Sequence, residues 1–297
     1  MTAPLAGLFC PVTTPFAPDG SPDAGRLADQ IARYAALPIS GIVLFGTSGE
    51  GPLHEPDEEA PLLAAARAAL PDRLQLVVQV GRESGLGAAV AAARAAHAGA
   101  DALLCLPPRY YPTTAAARAA CFRAVAAATP LPLLAYHIPQ RTHVELPVTE
   151  LAALAREGVL SGVKDSAGDL AWQAALRAAA GPGFAILNGR SDVSAESLTA
   201  GADGLILAVA DAAPELVAAL LAAHRAGDAA GAVRAQSALA PLAACCGARY
   251  GVPGIKAALD ARGWPGGGLP RLPLLSLDGE GRAEVARALR TARVAIA

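Results

Sequence analysis

The chain has 297 residues, 54% of them hydrophobic, and a formal net charge of -2. That length suits one large core, and no basic cluster points to nucleic acid. The mean hydropathy of +0.38 invites a membrane reading. However, the apolar stretches are cut by Arg, Asp, Glu or Pro well before the ~20 residues a spanning helix needs.

Met1–Leu8 has no basic region ahead of a long apolar run, so no signal peptide is read and a cytoplasmic location is expected. The five cysteines, Cys10, Cys105, Cys121, Cys245 and Cys246, are odd in number and lack CxxC spacing, as buried thiols of a cytoplasmic protein would.

Short apolar runs alternate with Ala-rich helical patterns. Strand candidates start near Leu8, Ile42, Leu76, Ala102, Leu133, Gly162, Ala185 and Gly204. Helical stretches between them include Asp23–Ala35, Asp57–Leu70, Gly87–His97, Ala115–Ala128 and Val148–Ala155. The strands read as continuous apolar runs such as Ile42-Val43-Leu44-Phe45, which suits strands buried on both faces. Eight strands, each followed by a helix, predict an α/β (β/α)8 TIM barrel.

The turn Ala98-Gly99-Ala100-Asp101 recurs as Ala200-Gly201-Ala202-Asp203, each feeding a strand. The chain after the eighth strand is too long for one closing helix. Pro214–Ala223, Ala229–Ala243, Ile255–Ala261 and Glu280–Ala292 read as helices, and Gly263–Pro273 as a structural loop. The expected division is 1-224 for the barrel with the active site and 225-297 for a C-terminal helical extension.

Barrel enzymes work at the C-terminal ends of their strands. Lys164, ending the sixth strand, is the sharpest signal. The chain has 22 arginines and two lysines, Lys164 and Lys256. A lysine kept against that bias suits chemistry closed to arginine, because an amine can lose its proton and form an imine. The alternative is a barrel lysine paired with a carboxylate. Lys256 reads as an ordinary helix cation.

Tyr136 ends the neighbouring strand, roughly 5 Å away by strand spacing, within reach for proton relay. The Gly46–Gly51 loop offers Thr47 and Ser48 hydroxyls and backbone N–H groups, a cradle for a carboxylate. The five histidines show no paired ligand spacing, so no metal is expected.

Together these residues resemble the dihydrodipicolinate synthase / N-acetylneuraminate lyase family of pyruvate-dependent class I aldolases. The pieces recur in order over nearly the whole chain. They are Pro11-Val12-Thr13-Thr14-Pro15-Phe16 with Asp19-Gly20, the loop 46–51, the Pro-rich pair Tyr110-Tyr111, Tyr136-x-x-Pro139, Lys164-Asp165-Ser166-Ala167-Gly168-Asp169 and the turn 200–204.

The resemblance implies a Schiff-base lyase that adds pyruvate to, or releases it from, an aldehyde. A 2-keto-3-deoxy sugar acid is one such product. It also implies catalytic roles for Lys164 as imine former, Tyr136 as general acid/base and Thr47 in the proton relay. Tyr110, or else Tyr111, would be donated across a dimer interface. Thr47, Ser48, Arg141, Gly189 and Ile206 would bind substrate, Arg141 through the second substrate's carboxylate. No separate cofactor is implied beyond the covalent imine. A homotetramer built as a dimer of dimers is.

The chain departs from the family pattern at Arg109, His137, His143, Arg190, Ser191 and Leu207. We read these as changes to the aldehyde half, with Arg109 and Arg190 favouring an anionic partner. The alternatives are a 4-hydroxy-tetrahydrodipicolinate synthase acting on aspartate semialdehyde, and, from another class, a non-catalytic pyruvate-binding barrel.

Overall fold

The computed structural model describes residues 5–297. Half of the Met1–Leu8 stretch read for a leader therefore lies outside the described residues. Eight parallel strands close into a barrel in sequence order. They are β1 (Gly7–Cys10), β2 (Gly41–Leu44), β3 (Gln75–Gln79), β4 (Ala102–Cys105), β5 (Leu133–His137), β6 (Gly162–Asp165), β7 (Ala185–Asn188) and β8 (Gly204–Leu205). Nearly every strand residue is buried, which explains why apolar side chains dominate the strands. Among the described residues, no helix is long and apolar enough to cross a membrane.

The chain divides into two compact units, one of residues up to Gly7 with Val77–Ile206, the other of Leu8–Leu76 with Leu207–Ala297. In the second unit lie α1 (Ala24–Ala35) and α2 (Glu59–Ala69). The first holds α3 (Gly85–His97), α4 (Ala115–Ala127), α5 (Pro139–Thr142), α6 (Val148–Arg156), α7 (Leu170–Ala180) and α8 (Ser194–Thr199). Back in the second are α9 (Val209–Ala212), α10 (Pro214–Arg225), α11 (Ala229–Leu242), α12 (Val252–Ala261) and α13 (Gly279–Thr291).

Helix starts follow capping chemistry. Asp23, Ser84, Thr114, Asp169, Asp228 and Asp278 each accept a first-turn backbone N–H. The repeated turn works through its glycines: Gly99 and Gly201 adopt φ of 84° and 92°, closing α3 and α8 before β4 and β8. Two boundaries have a clear local cause. α12 begins at Val252, three residues early, because Gly251 turns the chain and a proline fits the first helical turn. α11 contains Pro241 and runs on as a π-helix over Ala243–Arg249.

The second unit buries a polar cluster. The Tyr34 hydroxyl lies against both the Asp211 carboxylate and, at 2.6 Å, the Asp211 carbonyl. Gln30 Nε2 donates to Thr13 Oγ1 at 2.9 Å and lies 3.4 Å from Asp211 Oδ1. Asp211 Oδ2 is buried without a hydrogen-bond partner. Burial pushes this carboxyl up to about 7, against the opposing pull of Tyr34, Thr13 and Lys256.

The folded protein thus holds a proton there that the unfolded chain releases near 4. Its contribution is fully present below the unfolded value and is lost as pH rises through about 7. Asp211→Asn should remove this dependence. The stability difference between variant and wild type should shift in the variant's favour, on the order of 3 kcal/mol, from pH 4 to pH 8. Parallel thermal melts across that range check it, and a constant difference would contradict the assignment.

Candidate active site

β5 and β6 pair with Tyr136 opposite Lys164 and His137 opposite Asp165. Side chains alternate between faces along a strand. One face therefore carries Tyr136 and Lys164, and the other carries His137 and Asp165. The second pair meets α7: His137 stacks on Trp172, ring centroids 4.7 Å apart. Since α7 covers the outside of the strands, Tyr136 and Lys164 point to the barrel interior. Both are buried, and Lys164 Nζ sits 4.1 Å from the centre of the Tyr136 ring.

The two lysines are both buried and otherwise opposite. Lys256 Nζ meets Glu50 Oε1 at 2.6 Å, donates to the carbonyls of Thr14 and Leu269 at 2.8 and 2.7 Å, and lies over Phe16. It is no ordinary helix cation. It is a structural ammonium, ion-paired to one carboxylate and donating to two carbonyls. Among the described residues Lys164 has no carboxylate partner and faces an aromatic ring instead. The carboxylate-pairing alternative raised for Lys164 belongs to Lys256.

Around Lys164 the backbone is tightly set. Gly189 N donates to the Asp165 carbonyl at 2.6 Å. A Cβ at Gly189 would lie 2.1 Å from Ser166 Oγ and 3.1 Å from the Asp165 carbonyl, so a side chain there would displace the serine hydroxyl. Ile206 follows β8, is buried, and its N donates to the Asn188 carbonyl at 2.8 Å.

Arg141 stands in the short α5 after β5, exposed and without a carboxylate partner among the described residues. Tyr110 and Tyr111 are 76% and 73% exposed, packed edge to face. The chain therefore does not bury Tyr110 with Tyr136 and Lys164. Its loop is clamped by Glu83 Oε2, which accepts from Arg109 N and Tyr110 N at 3.0 Å each.

The other unit holds Thr47, half-buried, and Ser48, buried, in the loop after β2. Left-handed Phe45 and Glu50, with φ of 58° and 55°, fold that loop back on itself. Gly51 N donates to the Gly46 carbonyl at 3.1 Å, and a Cβ at Gly51 would strike the Phe45 carbonyl at 1.8 Å. Thr14 Oγ1 donates to the Gly49 carbonyl at 2.7 Å.

Three departures look different in structure. Arg190 spends its charge on Asp192, with Nε 2.8 Å from Oδ1, and Arg109 on Glu83 at 3.2 Å. Both guanidiniums are thus paired with a nearby carboxylate. His137 faces away from Tyr136 and Lys164, so its change does not line their pocket. Instead its Nδ1 meets Asp165 Oδ1 at 2.8 Å and its Nε2 meets Glu145 Oε2 at 3.0 Å. The signal was available: two residues that each follow a strand-paired residue must themselves be paired. Among the described residues no group of three or more His, Cys, Asp or Glu side chains is arranged to hold a metal ion.

Comparison with known proteins decides the family. Residues 4–292 match the dihydrodipicolinate synthetase family. The chain belongs to that family. It is a carbon–carbon lyase of the dihydrodipicolinate synthetase family, as its relatives' names bear out.

An uncharacterised DapA-like lyase of Halobacterium salinarum is 37% identical over 279 residues, covering 94% of this chain and 91% of the relative. A 4-hydroxy-tetrahydrodipicolinate synthase of Streptomyces coelicolor is 37% identical over 285 residues, covering 94% and 91%. Among solved structures, the family member YagE of E. coli, in complex with pyruvate, superposes with a TM-score of 0.93 at 25% identity, covering 98% of this chain and 99% of that one.

Proposed function

We propose that the protein joins pyruvate to an aldehyde, or cleaves the product, through an imine on Lys164. The observation that carries this reading is the buried, carboxylate-free Lys164 over the Tyr136 ring. The Lys164 amine attacks pyruvate's keto carbon, and loss of one water leaves an iminium ion. That cation draws electrons from the methyl C–H bond, and deprotonation gives an enamine. The enamine carbon attacks the aldehyde carbon, whose oxygen takes up a proton. Water then releases a 4-hydroxy-2-oxo acid and regenerates the amine.

Tyr136, beside the amine, moves the protons of dehydration and rehydration. Thr47 and Ser48 take the roles the family resemblance gives them: carboxylate binding and, for Thr47, the relay. Gly189 and Ile206 line the substrate. Arg141, the guanidinium left without a carboxylate, receives an anionic group of the aldehyde.

Exposed Tyr110 suits donation to a second copy of the chain, as in a dimer or a dimer-of-dimers tetramer. A second reading, 4-hydroxy-tetrahydrodipicolinate synthase with aspartate semialdehyde as partner, is favoured by the Streptomyces relative's name and by Arg141.

The test is intact-mass spectrometry after incubation with pyruvate and borohydride, followed by peptide mapping. A reduced pyruvyl adduct on Lys164 is expected. A folded protein with no adduct would move the non-catalytic binding barrel to the front.

A further inference from the structure

Arg141 sits in a helix of four residues, Pro139–Thr142. A single turn does not hold itself in water, because nucleation is unfavourable. Its placement must come from ties to its surroundings. Before the arginine, Gln140 Nε2 donates to the Ser166 carbonyl at 2.7 Å. Within the turn, Thr142 Oγ1 donates to the Ile138 carbonyl at 3.1 Å. Just after it, His143 takes a left-handed conformation, φ 56°, and reverses the chain. Beyond that reversal, Glu145 reaches His137 and the Leu146 carbonyl accepts from Trp172 Nε1 at 3.1 Å.

We propose that His137 and Glu145 are positioning residues for Arg141. Together they fasten the far side of its turn to the strand that bears Tyr136 and hold the guanidinium ready for an anionic group on the aldehyde. The inference rests on the role given to Arg141 above.

The chemistry of the tie is specific. Both imidazole nitrogens face carboxylates, and an ionised carboxylate only accepts. Both bonds therefore form together when both ring nitrogens carry protons. Asp165 is the fixed end: it is buried and also accepts from Ala167 N and Gly168 N at 3.1 and 3.3 Å. Glu145 is the free end, its side chain 74% exposed. Removing Glu145 therefore loosens the Arg141 turn and leaves the His137–Asp165 pair in place. Trp172 holds the ring edge-on to both.

The experiment compares Glu145→Ala, Glu145→Gln, Arg141→Ala and the double variant Arg141→Ala/Glu145→Ala. KM and kcat are measured with aspartate semialdehyde, which is carboxylated, and glyceraldehyde, which is not, beside borohydride trapping of the pyruvate imine. Glu145→Ala should raise KM for the carboxylated aldehyde about threefold to fivefold, the range of an exposed ion pair. It should leave the glyceraldehyde KM, kcat and imine trapping unchanged. Glu145→Gln, which can still hydrogen-bond His137, should recover much of the loss. In the double variant the Glu145 change should add nothing to the Arg141 loss.

If Arg141→Ala raises that KM and Glu145→Ala does not, or if the two losses add, the positioning role is wrong and the Arg141 reading stands. If Arg141→Ala leaves that KM unchanged, the Arg141 reading fails and the inference with it.

Discussion

Lys164→Arg is expected to abolish the borohydride-trapped adduct and to lower kcat by roughly four orders of magnitude or more. Arginine places a cation near the Tyr136 ring but cannot form an imine. The variant therefore separates a requirement for the nucleophile from one for a buried cation. Circular dichroism should show a native fold, because Lys164 makes no ion pair that folding needs. Tyr136→Phe keeps the ring beside the amine and removes the proton carrier. It should slow both imine formation and turnover while still giving an adduct at long times. Residual turnover by Lys164→Arg within tenfold of wild type would end the imine mechanism for this protein.

The largest effect on stability is expected at the other lysine. Lys256→Met should cost about 3–5 kcal/mol, because it leaves the Glu50 carboxylate buried and uncompensated. It also strips the Thr14 and Leu269 carbonyls of their donor. Burial alone pulls the Lys256 ammonium down from its ordinary value, and Glu50 opposes that pull. The pair stands or falls together.

Denaturant unfolding checks this, with Glu50→Gln/Lys256→Met as the control. Removing both charges should recover at least half of the loss. A single variant as stable as wild type would mean that the ammonium contributes nothing to the loop bearing Thr47 and Ser48. Glu50 Oε2 also accepts from Arg271 N at 2.7 Å, so the variant should loosen the 269–271 segment as well.

Most of the fold was legible because a barrel strand leaves a strong mark. Strands buried on both faces are apolar over most of their length, and each predicted start fell within one residue of the structure. The short helices after β5, β7 and β8 left no such mark. α5, α8 and α9 have four, six and four residues, too few for a helical period to show.

Lys164 was legible from composition, since lysine is rare in this chain. The same argument applies with equal force to Lys256, although an exposed helix cation is the commoner case. What set the two apart was a partner distant in sequence, Glu50, which no local pattern announces. Arg109 and Arg190 are each paired with a carboxylate as well. Glu83 lies in the loop before α3 and Asp192 in a single 3-10 turn, Ser191–Val193, and the local backbone conformation decides each pairing.

The scarcity of lysine has a practical side. Both side-chain amines are buried, and one of them is ion-paired and hydrogen-bonded to two carbonyls. Cross-linkers and labels that target lysine amines will find almost nothing on the surface of the folded protein, whatever its assembly. A negative amine cross-linking result would therefore not argue for a monomer, and subunit number should be read by sedimentation or native mass. Conversely, a small amine-directed acylating agent that inactivates the protein has Lys164 as its first suspect.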